Sequence, residues 1–350
     1  MTTTARQVEQ QPVEQQQGQA AFTLFGILSG AWATQVLQVG AELGIADILK
    51  DGPKTIAELA DATQTNVAAL TRLMRALVAL QVFAEKEPGV YCMSPASWHL
   101  CQGYPGSLRN FILFFKLDWV WNLWCELNYA MKTGQSAMRH VHGVNIWEYL
   151  DAHPRDLRYM NEGMDEFSRL INPSVLASYD FSAFRSLVDV GGGYGSFLKL
   201  LTEQNPSFHG ILFDRPTAIA EAEALHANTP FASQCTFVGG DFLVELPEGA
   251  DAYLFKFVVN DWDDSYARQM FSACRRAIPP HGKLLVAEYL LTPQPEAVPA
   301  LMNVLTFLGF EGGHGRTEEE FRTLFAETGF TLTRVIPTMS GMHIVEGVPS

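Results

Sequence analysis

The stretch Leu187-Val188-Asp189-Val190-Gly191-Gly192-Gly193-Tyr194-Gly195-Ser196 constrains the fold of this chain more than any other. Apolar residues flank a single acidic one, the run breaks into glycine, and apolar residues resume at Phe197, Leu198, Leu200 and Leu201 ahead of Pro206. This pattern reads as a buried strand, a tight turn and the start of a helix. Glycine meets two demands in such a turn: it tolerates positive φ, and without a Cβ it lets the backbone approach a ligand closely. The spacing is D-x-G-x-G-x-G, with Ser196 where a dinucleotide-binding turn has its last glycine. It favours a nucleoside-type ligand such as S-adenosylmethionine over a dinucleotide, whose pyrophosphate wants the longer spacing.

The alternation around this turn sets the expected architecture. After a boundary near Tyr179-Asp180-Phe181-Ser182, strand patterns at Ser186–Val190, Gly210–Phe213, Cys235–Val238, Ala252–Lys256 and Lys283–Glu288 mostly alternate with helical ones. That is the pattern of an α/β, doubly wound, Rossmann-like sheet. Strands at Thr331–Ile336 and Met342–Glu346 follow closely on one another and suggest an antiparallel pair at one edge. The expected domains are a disordered leader over residues 1–20, a helical domain over 21–178 and the α/β domain over 179–350.

Within the helical domain, Phe22, Leu24, Phe25, Leu28, Trp32, Val36, Leu37, Val39, Leu43, Ile45 and Ile48 make a helix apolar on most faces. One small domain cannot cover all of them, so a subunit interface is expected, with burial in the domain's own core as the alternative. Thr55 and Glu58 have capping-box spacing, and Thr65 or Asn66 can cap a second helix carrying Leu70, Leu73, Met74 and Leu77. Val82–Glu85 and Val90–Met93, joined by a Pro-Gly turn, resemble the wing of a winged helix. From Pro105 to Met164 the chain is dense in aromatics, including Trp119, Trp121, Trp147 and Tyr149, which suit a core and the wall of a pocket for a flat ligand. His140 and His142 lack a third ligand at metal spacing and read as loop residues, so no metal is expected.

A formal charge of -14 argues against a nucleic-acid partner, and the second helix of the winged-helix region offers only Arg72 and Arg75. No apolar run reaches the ~18 residues of a membrane span, and no basic segment precedes an apolar core as a secretory signal would require. Cys92, Cys101, Cys125, Cys235 and Cys274 are odd in number and scattered, which suits reduced thiols in the cytoplasm.

Acidic residues follow the glycine turn in order. Asp214 ends the next strand, about 20 residues on, where a carboxylate accepts hydrogen bonds from ribose hydroxyls. Asp241 follows Gly239-Gly240 at the end of the third, where it can accept from an adenine amino group with Phe242 packed on the ring. In such sheets, ligands bind beyond the carboxyl ends of the strands, where all three features fall.

With the fourth-strand block Lys256-Phe257-Val258-Val259-Asn260-Asp261-Trp262 in hand, the sequence resembles the class I S-adenosylmethionine-dependent small-molecule O-methyltransferases. That family includes caffeate-type, hydroxyindole-type and many bacterial natural-product enzymes. The resemblance runs from about Phe22 to the C-terminus and includes Leu43–Asp47, Phe213–Pro216 and Gly312-Gly313-His314-Gly315-Arg316-Thr317. It implies a homodimer joined through the N-terminal helices. It also implies S-adenosylmethionine held by Gly191, Gly193, Asp214, Asp241, Phe242 and Lys256, and an acceptor met by Asn161, Met164, Asp261 and Trp262.

Two departures bear on the chemistry. Asn260 stands where the family usually has the His that deprotonates the acceptor, and Gly315 where it has a Glu; the second carboxylate, at Glu288, is retained. Asn is no general base near neutral pH. Two readings follow: methyl transfer to a hydroxyl of an aromatic or polyketide-like molecule by proximity, or a non-methylating cyclisation, hydroxylation or decarboxylation with the cofactor kept as a bound cation. His314 is a candidate substitute base.

Overall fold

The structure, a computed structural model, describes residues 13–350. The chain divides into two compact units, one ending at Lys116 and the other spanning Leu117–Ser350.

In the first unit, helix α1 (Val13–Glu42) passes through Gly44, in the left-handed region at φ 65°, into α2 (Ile45–Leu49). The expected leader thus gives way to helix at Val13, and its first 12 residues lie outside those described. Strand β1 (Lys54–Thr55) runs into α3 (Ile56–Ala62) through the expected capping box: Glu58 N–H donates to Thr55 Oγ1 and Thr55 N–H to Glu58 Oε2. Asn66 caps α4 (Val67–Ala79), and strands β2 (Phe83–Glu87) and β3 (Val90–Met93) form the wing, with β1 paired to β3. Helix α5 (Arg109–Phe114) completes the unit. Phe22, Leu24, Phe25, Ile27, Leu28 and Trp32 of α1 are each more than half exposed. Contrary to the expectation of no long apolar run, Gln19–Glu42 reaches a mean hydropathy of 1.4 and is long and apolar enough to cross a membrane. Gly, Ala, Ser and Thr between the large residues interrupt the pattern without adding charge, and Glu42 is its first charged residue.

The second unit opens with α6 (Asp118–Cys125), α7 (Leu127–Thr133), α8 (Ala137–His142), α9 (Ile146–Ala152) and α10 (Pro154–Ser178). Then alternate β4 (Ser186–Val190), α11 (Ser196–Gln204), β5 (His209–Asp214), α12 (Pro216–His226), β6 (Cys235–Gly239), β7 (Ala252–Lys256), α13 (Asp264–Ala277) and β8 (Lys283–Glu288). Helices α14 (Ala297–Gly309) and α15 (Glu318–Glu327) precede the closing hairpin of β9 (Phe330–Pro337) and β10 (His343–Pro349). The sheet order is β6-β5-β4-β7-β8-β10-β9, with β10 antiparallel to both neighbours, as the late strands suggested. The compact units divide near residue 117, whereas sequence put the boundary near Tyr179. The reason is α10: it packs on α11, Asn172 donates to Ser196 Oγ at 3.2 Å, and Tyr179 bonds Glu346 on β10, next to the edge strand β9.

Period-2 alternation splits the strand side chains between two cores. Val188, Val190, Tyr253, Phe255 and Val286 face Met270, Phe271, Phe321 and Phe325. Leu187, Leu212, Leu254, Leu285 and Ile344 face Val175, Phe197, Leu198 and Ile219. The strand order reverses between β4 and β7, which leaves a crevice at their carboxyl ends.

One carboxylate ties the antiparallel edge to α10. Glu346 is 2 % exposed and accepts from Tyr179 Oη at 2.5 Å, Thr333 Oγ1 at 2.6 Å and Arg334 at 2.7 Å. Burial opposes its ionisation, but the bonds from Arg334, Thr333 and Tyr179 prevail and hold it down at about 2. Glu346→Ala strands these donors and is expected to cost about 3 kcal/mol in urea unfolding at pH 7. Its contribution is present above the ordinary value of 4.5 and is lost as pH falls through about 2, so the wild-type advantage over the variant shrinks in acid.

Candidate active site

At the carboxyl end of β4 the chain turns through Gly191, Gly193 and Gly195 at φ 68°, 57° and 77°. A Cβ on Gly191 would lie 2.7 Å from Val258, and one on Gly192 2.6 Å from Leu212 and 2.7 Å from Asp189. Packing therefore requires glycine at both positions, and at Gly191 the dihedral angle requires it as well. Asp214, at the end of β5, accepts from the backbone N–H of Gly193 at 2.9 Å and of Arg215 at 2.7 Å. Burial pushes its carboxyl up, against those two bonds and the Arg215 charge.

Asp189, on β4 itself, is 1 % exposed, and neither carboxylate oxygen has a hydrogen-bond partner. Burial raises it to about 6, against the pull of Lys256. Lys256 ends the adjacent β7, 9 % exposed, with Nζ 3.0 Å from Ser168 Oγ. Burial pushes Lys256 down, while Asp189 and Asp165 pull it back up. After it, Phe257 adopts φ 55°, rare for a bulky residue, and packs between Phe167 and Tyr289, each at 5.5 Å. Strain of this kind concentrates where a fold must aim a side chain. Asp241 is exposed and spends one oxygen on the Leu243 N–H at 2.9 Å, while Phe242 meets Trp262 edge-on at 5.9 Å.

On the other side of the crevice is the turn Val258–Trp262. Glu288, 1 % exposed, accepts the Asn260 backbone N–H at 3.0 Å and also bonds the backbone of Val259 and Val258. Burial raises it to about 7, against Arg316 and these bonds. Its neighbour Asp261 is pushed well up by desolvation and by Glu288 itself. Asn260 Nδ2 lies 3.5 Å from Thr306 Oγ1 on α14, and its Oδ1 is buried with no partner. His314 has Nδ1 on Gly312 O at 2.8 Å and Nε2 3.5 Å from Asp264. Gly315 donates its N–H to Asn303 Oδ1 at 2.5 Å, so a carboxamide from α14 borders the position of the missing Glu.

Of the acceptor-side residues named from sequence, Asp261 and Trp262 fall in this turn. Asn161 and Met164 lie on α10, but Asn161 Nδ2 is 3.3 Å from Glu221, which also takes the Tyr194 hydroxyl at 2.7 Å. Asn161 is thus joined to the glycine-turn side. Sequence reasoning missed Asp189, although it stands in the motif's first position. It also missed Arg316, wholly buried, which donates to Val259 O, Trp262 O and Asp264. The only signal for Arg316 was its place in the Gly315-Arg316-Thr317 block.

These geometries match known proteins along nearly the whole chain. The model of the O-methyltransferase domain matches residues 124–331, and that of the O-methyltransferase dimerisation domain residues 25–103. The phenazine O-methyltransferase PhzM of Lysobacter antibioticus is 37% identical over 326 residues, 93% of this chain and 95% of the relative. The crystal structure of LaPhzM superposes with a TM-score of 0.90 at 36% identity, covering 95% of this chain and 99% of that one. CalO1, a methyltransferase in calicheamicin biosynthesis solved in its SAH-bound form, gives 0.82 at 31% identity, covering 95% and 98%. The chain belongs to the O-methyltransferase family, and it is an S-adenosylmethionine-dependent methyltransferase with the family's dimerisation domain. The residues fit that cofactor: a buried carboxyl with no partner beside a buried lysine suits a zwitterionic amino-acid end, and a Cβ on Gly193 would meet no protein atom within 4 Å, which leaves its backbone open to a ligand.

Glu288 sets a testable pH dependence. Its folded value, about 7, lies above the ordinary 4.5, so its contribution to stability is full below 4.5 and lost as pH rises through 7. Glu288→Gln keeps an acceptor for the backbone but cannot titrate. Between pH 5 and pH 8, wild type is expected to lose about 3 kcal/mol relative to this variant in urea unfolding.

Proposed function

We propose that the protein methylates an acidic hydroxyl on a flat aromatic or polyketide-like molecule of secondary metabolism, by proximity and without a side-chain base. The observation that carries this reading is Asn260: its Oδ1 is buried and unpartnered in the turn where the family keeps its His. Glu288 is occupied by backbone N–H groups, and His314 has both ring nitrogens engaged.

On this reading, Gly191 and Gly193 give the cofactor backbone access, and Asp214 takes the ribose. Asp241 and Phe242 take the adenine, and Asp189 with Lys256 the amino-acid end. Bound S-adenosylmethionine supplies an electrophilic methyl group on a sulfonium with a good leaving group. Asn260 receives the neutral hydroxyl at Oδ1 and, once the proton has left, donates from Nδ2 to the phenolate oxygen, while Asp261, Trp262 and Met164 bound the acceptor. The proton leaves to water, so the acceptor must ionise near neutral pH. Alignment alone is worth about 7–11 kcal/mol, against a factor of roughly 10²–10⁴ from a base.

The test is incubation with S-adenosylmethionine and a panel of phenols of graded acidity, following S-adenosylhomocysteine by mass spectrometry. Turnover is expected to favour the acidic phenols, with kcat/KM rising through each acceptor's own pKa. Asn260→His is expected to add a second titration near 6.5 and extend turnover to weaker phenols. Cofactor-dependent conversion without S-adenosylhomocysteine overturns the reading in favour of non-methylating chemistry.

We also read the protein as a cytoplasmic homodimer, joined through the apolar face of α1. The dimerisation model begins at residue 25, within that helix, and the five cysteines are free. Light scattering is expected to give twice the chain mass for wild type and to shift toward monomer for Leu28→Asp.

A further inference from the structure

Arg215 follows directly on Asp214 and packs against α9 in two ways. Its guanidinium carbon lies 4.7 Å from the centroid of Trp147, and NH1 is 3.2 Å from Asp151. Trp147 and Asp151 are four residues apart, on one face of α9. The same indole lies 5.9 Å from Phe310. A Cβ placed on Gly313 would be 2.9 Å from Phe310 Cβ and 3.1 Å from Asn260 O. Trp147 on this face thus touches Arg215, next to Asp214, and Phe310, whose near neighbour Gly313 packs against the Asn260 turn.

The charge at Arg215 needs an account. A guanidinium next to the proposed ribose ligand and left unpaired repels a sulfonium-bearing cofactor, and the repulsion grows as water is excluded. Here the positive group faces an aromatic ring and a carboxylate that is itself largely in water, an arrangement that holds its plane and offsets part of its charge.

We propose that Arg215 is a cofactor-positioning residue: clamped by Trp147 and Asp151, it draws α9 over the ribose side of the S-adenosylmethionine site while Asp151 offsets part of its charge. The inference rests on the reading of Asp214 as the ribose ligand and needs no knowledge of the acceptor. It separates two ligands of nearly equal shape, because S-adenosylmethionine carries a sulfonium charge that S-adenosylhomocysteine lacks.

The experiment is calorimetric titration of the full chain with each ligand at low ionic strength. Arg215→Ala is expected to weaken both ligands about tenfold. Asp151→Ala unmasks the guanidinium and is expected to lower the S-adenosylmethionine to S-adenosylhomocysteine affinity ratio about threefold or more. The Asp151→Ala, Arg215→Ala double variant is expected to restore that ratio, and Trp147→Phe to keep both affinities near wild type. Affinities within twofold of wild type in Arg215→Ala, or an equal loss of both ligands in Asp151→Ala, overturn the proposal. Asp214→Ala distinguishes the underlying reading: unchanged affinity there brings down the ribose assignment itself, whatever the other variants do.

Discussion

A carboxylate taken out of water at the end of β8 governs this site. Glu288 is nearly fully buried and is satisfied by backbone N–H groups of the Val258–Asn260 turn. From the opposite side, the buried Arg316 donates to the carbonyls of Val259 and Trp262. The turn is gripped through its donors by an acid and through its acceptors by a guanidinium. Such charge-assisted bonds are stronger than neutral ones and fix geometry as well as energy. Val258 then leaves no room for a Cβ on Gly191, so the glycine turn takes its shape against the Val258–Trp262 turn.

Glu288 thus holds the turn that carries Asn260 by its backbone. The carboxylate the family keeps here holds the turn's backbone, beside a residue that is no base. With Asn260 the network keeps its architecture and loses its proton acceptor. Under the proposed reading, the burden of ionisation passes to the substrate, and acceptor acidity becomes part of specificity.

Much of the fold was legible because the central strands β4, β7 and β8 are buried on both faces and the edge strands keep their apolar runs; all seven expected strands of the large sheet appear. The capping box at Thr55 and the wing at β2–β3 were equally local and equally readable. Less legible was anything set by packing between distant segments. α10 looked like part of an N-terminal domain until its bonds to Ser196 and Glu346 tied its end to the sheet. The membrane-length apolar character of α1 was obscured by small, weakly polar residues.

The glycine turn at Leu187–Ser196, the acidic residues behind it and the substitution at Asn260 were determined by the sequence alone. They depend on local backbone freedom and on residue chemistry, which a one-dimensional pattern retains. Only the tertiary structure decided that Asp189 is buried with no partner, that Glu288 and Arg316 clamp one turn, and that Arg215 is held by Trp147 and Asp151. Those facts join residues 28 to 68 positions apart, and only the closing of the sheet brings their side chains within hydrogen-bonding or ring-contact distance.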